Sequence, residues 1–380
     1  MANLSDYLAW RGDLPFAVDG FNEVDNVVLS ELAYADWTGL LPEGGTALAA
    51  AAKRYLRRTG RRERAAKAPI ERQGGALLQQ AARTRRFAPV RVTDFVNRVD
   101  AAAQIQMAAL TFVLPDGSAY VAYRGTDNTL VGWQEDFNLS YLPETGGQRL
   151  ALAYLSEAAR GHPGALRVGG HSKGGNFAVY AAAFARPSVQ ARILAVYAND
   201  GPGFRREITR QSGYRRLLPR VRSLVPAGTI IGGLLVSGWD RRVVASDGRG
   251  IWQHDAMTWQ VRGRHFVPAE RTGASLFFET TLSRWIAHQD DESRRRFTEA
   301  LFAVLGSGGD TVDALGANKF AAMRAMAGAL REMPRPEQEQ FFAVLADLVK
   351  TGGAKVGADA KEAAAAGARR VRKLRGGKES

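Results

Sequence analysis

The chain has 380 residues, 46% of them apolar and 24% charged, a globular balance that excludes wholesale disorder. It contains no cysteine, which removes disulfides, thiolate metal sites and a thiol nucleophile. The formal charge of +14 invites a nucleic-acid reading, but residues 53–86 carry a net +10, residues 354–380 a net +5, and the remainder about −1. The run from Lys53 to Arg86 holds one aromatic, Tyr55, too few for a stacking platform, so specific nucleic-acid binding is not expected.

In chain order, apolar positions at helical spacing over 24–34 predict a helix, and the Arg/Ala-rich stretch 47–87 reads as helical with breaks at Pro69 and Gly74-Gly75. Residues 1–100 are therefore expected to form a helical N-terminal part, basic in 53–86, packed on the domain that follows. Apolar runs at 105–114 and 120–123 flank Pro115-Asp116-Gly117-Ser118, a hairpin signal. A helix near 148–159 follows, then a strand ending at Val168 and a small-residue helix over 176–184. Strands at 193–197, 221–225 and 243–245 complete the series. Strands alternating with helices predict an α/β domain over 101–350, a mostly parallel doubly wound sheet with helices on both faces. The pattern beyond Arg262 is helical to about Val349, and residues 351–380 read as a disordered basic tail. The apolar run Thr229 to Val236 is far below the roughly 20 residues a bilayer span requires. The first residues, Met1-Ala2-Asn3-Leu4-Ser5-Asp6, lack the basic-then-apolar pattern of a signal peptide, and the chain reads as cytoplasmic.

The chemistry-bearing motif is Gly170-His171-Ser172-Lys173-Gly174, set between the strand ending near Val168 and the helix from Asn176. Strand, Gly-x-Ser-x-Gly and helix together make a nucleophile elbow, in which a strained turn lifts the serine hydroxyl above the sheet. With 41 glycines a chance match is conceivable, but the flanking strand and helix argue against it. A serine nucleophile needs a base, and histidine suits neutral pH. In the order serine, acid, histidine, the candidates are His254, His265 and His288; His162 and His171 precede the serine. His254 lies in a loop after the 243–245 strand and is preferred; His265 comes second, and His288 sits on a polar helix face. For the acid, Asp200 closes the strand at 193–197 and enters Gly201-Pro202-Gly203, whereas Asp240 and Asp247 lie in looser loops. Asp200 could also simply cap that turn. The oxyanion donors expected are the backbone of Lys173 and Thr126, in the stretch Tyr123-Arg124-Gly125-Thr126-Asp127. Without clustered His, Asp and Glu at ligand spacing, neither a metal nor an organic cofactor is expected.

Tyr123-Arg124-Gly125-Thr126, followed by Trp133 and Asp136, resembles the (F/Y)RG(S/T)…W…D signature of class 3 lipases. The span from about Asp6 to Val349 is similar to a bacterial branch of these lipase-like α/β-hydrolases. Its recognisable parts are Trp10-Arg11-Gly12-Asp13-Leu14, Gly169 to Asn176, Asp200-Gly201-Pro202-Gly203-Phe204 and Gln253-His254-Asp255. The resemblance implies an α/β-hydrolase fold and a serine hydrolase acting on esters, lipid esters included, with no particular substrate attached. One departure stands out. Class 3 lipases place the acid just before a Val-Pro pair, and here Ser223-Leu224 precedes Val225-Pro226, so either Asp200, one strand earlier, takes over the role or the triad is incomplete.

Three functions are compatible with these residues. The first is a serine esterase or lipase-like hydrolase cleaving a carboxylic ester through Ser172. The second is a catalytically inactive hydrolase fold used as a binding module. The third is a nucleic-acid or anionic-surface binder, such as one making weak membrane contact, acting through the basic segments.

Overall fold

The computed structural model describes residues 1–60, 68–127, 129–307, 311, 325, 328–329, 334–336, 338–339 and 342. The tail expected at 351–380 lies outside the described residues, as does most of the helical pattern expected between 308 and 349.

The alternating apolar runs assemble into one eight-stranded sheet whose spatial order follows the sequence. Its strands are β1 (Thr46–Ala47), β2 (Arg91–Asp100), β3 (Ile105–Val113), β4 (Ala119–Tyr123), β5 (Leu166–His171), β6 (Ile193–Asn199), β7 (Val221–Pro226) and β8 (Arg241–Val244). From β1 to β4 neighbours are antiparallel; the helices Leu48–Arg58 and Pro69–Ala81 lie between β1 and β2, while β2, β3 and β4 follow one another through short turns such as the hairpin at Asp116-Gly117. From β4 to β8 every ladder is parallel, with helical crossovers between strands. A separate pair, β9 (Val261–Arg262) and β10 (His265–Phe266), is antiparallel. This is an α/β-hydrolase fold: a mostly parallel sheet covered by helices on both faces.

The period of two along each strand feeds two cores. Leu110, Phe112, Tyr120 and Ala122 point to the face covered by the N-terminal helices Leu4–Arg11, Glu23–Leu32, Leu48–Arg58 and Pro69–Ala81. Met107, Ala109, Val121 and Tyr123 point to the other face, covered by the helices Gly146–Gly161 and Lys173–Phe184. Both faces being covered explains why β3 and β4 read as unbroken apolar runs. The helix Glu23–Leu32 starts at a capping box, Asn22 with Asp25, and is buried along most of its length. It is anchored to the sheet by polar contacts: Asn26 and Asn199 exchange side-chain amide hydrogen bonds of 2.9 and 3.1 Å, and Tyr120 donates to Asn26 at 2.7 Å.

Three details depart from the sequence reading. The helix Pro69–Ala81 runs unbroken through Gly74-Gly75, with Pro69 at its first turn, where a missing N–H costs nothing. The two glycines serve close packing instead: a Cβ on Gly74 falls 2.6 Å from the Ala35 nitrogen, and one on Gly75 falls 2.3 Å from the Tyr55 hydroxyl. The first hundred residues also supply strands. β2 pairs with β3 from Arg91–Val113 to Asp100–Ile105, around an irregularity between Thr93 and Val96 where Asp94 takes φ 57°. Its many exposed positions hide the apolar signal. Finally, the basic stretch is partly structural. Arg86 is fully buried, pairs with Asp25 at 2.5 Å and donates to the carbonyls of Leu14, Asp19 and Gly20.

Among the described residues no helix is long and apolar enough to cross a membrane.

Candidate active site

β5 ends at His171 and the next helix begins at Lys173, so Ser172 alone makes the turn. It does so at φ 58°, ψ −132°, a region that costs a non-glycine residue roughly 1–3 kcal/mol and persists only where the surroundings enforce it. The enforcement is visible. The Ser172 amide donates to Asn199 O at 2.9 Å, and its own carbonyl accepts from the Gly175 amide at 2.9 Å. The glycines at either end of the motif let three backbones cross: a Cβ on Gly170 falls 2.4 Å from Gly174, and one on Gly174 falls 2.2 Å from the Tyr123 carbonyl. The serine therefore stands at the C-terminal edge of the parallel strands, over the positive end of the helix Lys173–Phe184.

Asp200 follows directly on β6 and is fully buried, with φ 46°. Its Oδ2 lies 2.7 Å from His254 Nδ1. Its Oδ1 accepts from the Thr229 hydroxyl and from the Gly232 amide at 3.2 Å, so both oxygens are engaged by donors that hold the carboxylate in one orientation. The Asp200 contact places the proton of His254 on Nδ1 and leaves Nε2 as an acceptor. His254 closes the short 3-10 turn Gly250–His254, and neighbouring groups hold that turn: Trp259 donates its indole N–H to Gln253 O at 2.9 Å, and Gly228 N donates to Gln253 Oε1 at 2.9 Å. Gln73 donates to both carboxylate oxygens of Asp255, at 3.0 and 2.9 Å. At the rim of this turn Ile251 and Trp252 are 57% and 74% exposed, an apolar tip two residues before the histidine.

The loop after β4 approaches the serine from the other side. A Cβ on Gly125 falls 3.0 Å from Ser172 Cβ and 2.5 Å from the His171 carbonyl, so no larger residue fits there. Next to it, the Thr126 hydroxyl donates to Asp136, on the helix Leu130–Asn138. Burial pushes Asp136 up to about 6, opposed by the Lys173 charge and the Thr126 hydrogen bond. The Lys173 side chain is fully buried, 3.2 Å from Glu135 Oε2 and 3.0 Å from Gly132 O. Glu135 is also fully buried and accepts from the amides of Gln106 and Gly147 at 2.9 and 2.7 Å. The residue after the serine is thus bolted by its side chain to the helix that carries the Thr126 partner.

His171 points away from the serine hydroxyl, back toward the N-terminal helices. Its ring lies 4.6 Å from that of His254, tilted 34°, and its Nε2 is 2.8 Å from His254 O. Nδ1 faces the Tyr34 hydroxyl at 3.2 Å and Glu31 Oε1 at 3.3 Å. Burial holds His171 well below the usual histidine range, with the His254 charge acting the same way, and it is neutral. Burial, aided by the Asp255 charge, raises Glu31 well above the carboxylate range, so it is a carboxylic acid.

Ser172, Asp200, His254, Thr126 and Lys173 are all found around one edge of the sheet. His265 is not: it sits on β10, 63% exposed, 3.4 Å from Glu23. His288 ends the helix Gly273–His288. Sequence reasoning missed Glu31, Tyr34, Gln73 and Glu135, which surround the site from elements far away in sequence. Only Glu31 carried a signal, a carboxylate on the apolar face of a predicted helix.

The sequence model of the Mbeg1-like family matches residues 81–303. No curated protein sequence gives a match. Among solved structures, the Rhizomucor miehei lipase propeptide complex is similar at 13% identity and a TM-score of 0.32, over 41% of this chain and 57% of that one. Lipase II from Rhizopus niveus is 15% identical with a TM-score of 0.34, over 43% and 69% of the two chains. A mutant of MDLA from Penicillium cyclopium is 12% identical with a TM-score of 0.37, over 66% and 86%. The chain thus spans little more than half the length of the Rhizomucor lipase complex.

Proposed function

This chain belongs to the Mbeg1-like family, and from the geometry of its site we propose that it is a serine hydrolase of the esterase or lipase type. The carrying observation is the 2.7 Å contact between Asp200 and His254 beside a serine held at φ 58°. A fixed carboxylate, an imidazole with Nε2 free to accept, and a strained serine are the parts acyl transfer requires.

In this reading Ser172 Oγ attacks the carbonyl carbon of a carboxylic ester, and its proton passes to His254 Nε2. Asp200 stabilises the imidazolium that forms and keeps its orientation. The tetrahedral oxyanion is received by the backbone N–H groups of Lys173 and Thr126, whose positions the Glu135 and Asp136 contacts hold. Collapse breaks the bond to the leaving alcohol, which takes the proton from His254. Water then repeats the sequence on the acyl-enzyme and releases the acid. The exposed Ile251–Trp252 tip favours an apolar group on the substrate, consistent with a lipid-like or other hydrophobic ester. The role proposed for the basic residues 354–380 is weak, salt-sensitive contact with an anionic membrane.

The absence of an acid just before Val225-Pro226 favours an inert hydrolase fold. Asp200 beside His254 weakens that case. Labelling with a fluorophosphonate probe tests the proposal: wild type is expected to be captured covalently and Ser172→Ala to remain folded and unlabelled. Equal labelling of the two proteins refutes it.

A further inference from the structure

Three loops must keep register for the proposed chemistry: those of Gly125, Ser172 and His254. One hydrogen-bonded path joins all three without passing through any proposed catalytic side chain. His171 Nε2 lies 2.8 Å from His254 O, and a carbonyl can only accept, so the Nε2 proton is fixed there. A neutral ring then leaves Nδ1 as an acceptor, and the Tyr34 hydroxyl at 3.2 Å is its donor. The Tyr34 oxygen in turn faces the Gly125 amide, and Gly125 approaches it so closely that a Cβ falls 2.3 Å away. The path therefore has one direction, from the Gly125 N–H through Tyr34 and His171 to the His254 carbonyl. It starts at the oxyanion loop, passes through the residue adjoining the nucleophile and ends on the backbone of the base.

We propose that His171 is a positioning residue: with its Nε2 proton on the His254 carbonyl and its Nδ1 held by Tyr34, it keeps the His254 backbone at a set place relative to Ser172, its own neighbour in sequence. The proposal rests on the hydrolase reading above. The charges around the ring fit this role. Glu31 and Tyr34 face Nδ1, His254 lies over the ring face, and Asp255 and Arg124 act at longer range through Glu31 and Tyr34. A neutral His171 adds no positive charge beside His254 when that imidazole takes the serine proton. A cationic one would oppose the transfer, since like charges disfavour each other at such range. Trp259 closes the edge of the ring at 6.2 Å and contributes no titrating group.

The experiment combines NMR and labelling on the full chain. In protein carrying ¹⁵N-labelled histidine, His171 is expected as the neutral Nε2–H form near neutral pH, and the His254 Nδ1 proton shared with Asp200 as a separate downfield resonance. His171→Phe removes both polar contacts while keeping a ring; the His254 resonance is expected to shift or broaden, and fluorophosphonate capture of Ser172 to slow about tenfold to a hundredfold, the scale of a misplacement near 1 Å. His171→Gln, which can donate to His254 O and accept from Tyr34, is expected to recover most of the rate and the resonance. Tyr34→Phe is expected to keep the Nε2–H form, which the His254 carbonyl fixes, and to move the Nδ1 resonance, which loses its donor. An imidazolium or an Nδ1–H form in wild type, or an unchanged His254 resonance in His171→Phe, overturns the proposal even if no labelling occurs. Absence of labelling in wild type refutes only the hydrolase reading.

Discussion

The main-chain N–H of Asp200 donates to the carbonyl oxygen of Leu224 at 2.7 Å, which places Asp200 beside the very position, ahead of Val225-Pro226, where the lipase pattern carries its acid. The carboxylate comes from the neighbouring strand's end, and the φ of 46° at Asp200 turns it toward His254. Aspartate tolerates this left-handed conformation better than most residues. Asp200→Asn keeps the shape and the Thr229 contact but inverts the tautomer preference at His254. Esterase turnover is expected to fall about 10⁴-fold with little change in melting temperature. Turnover within a factor of a few of wild type would show that another group orients the imidazole.

His254 and His265 differ in setting as well as in position. His254→Ala is expected to cost at least about 10³-fold in kcat/KM. His265→Ala removes an exposed contact to Glu23 and is expected to behave like wild type. Steady-state kinetics on a chromogenic ester decides between them, and an inactive His265→Ala protein reverses the assignment.

Asp136 gives a pH signature. Burial pushes it up to about 6 in the folded chain, whereas an unfolded aspartate titrates near 3.9. The folded state therefore holds this proton more tightly than the unfolded state does. Stability tied to Asp136 is full below the unfolded value and is lost as pH rises through about 6. Asp136→Asn does not titrate, so the melting temperature of the variant minus that of wild type is expected to grow between pH 4 and 7 (about the two titration points). A difference independent of pH contradicts the assignment.

Lys173 and Glu135 form a fully buried pair. Removing one partner strands the other charge, and Lys173→Met is expected to cost about 3–5 kcal/mol in urea unfolding. Adding Glu135→Gln should restore part of that loss, because the uncompensated carboxylate is gone. If the double variant is less stable than Lys173→Met alone, the amides of Gln106 and Gly147, and not the ion pair, carry the cost.

The alternation of strands and helices after residue 105 was legible because both faces of that sheet are covered, one by the N-terminal helices and the other by crossover helices, which leaves mostly apolar runs in the sequence. Ser172 was legible because an elbow demands glycines at fixed offsets. β2 was not, since its exposed, charge-bearing face carries little apolar alternation. The continuity of the helix through Gly74-Gly75 was hidden because the reason for those glycines lies across the fold, at Tyr55 and Ala35. The meeting behind His254 was hidden for the same cause: Glu31 and Tyr34 reach His171 across roughly 140 positions of chain, and even the buried-face carboxylate of Glu31 does not say what it meets.

The amide exchange between Asn26 and Asn199 spans 173 positions, and it sets an order of events during synthesis. The helix Glu23–Leu32 leaves the ribosome early, yet the strand it docks on is made only after half the chain has followed. Until then Val24, Val27, Val28 and Leu29, all buried in the finished fold, have only the earlier N-terminal helices and β3 and β4 to cover them. Closure over so long a separation is slow, and apolar surface left waiting attracts chaperones or neighbouring nascent chains. Slower translation or added chaperone is therefore expected to raise the soluble fraction at high expression without altering the stability of the folded protein.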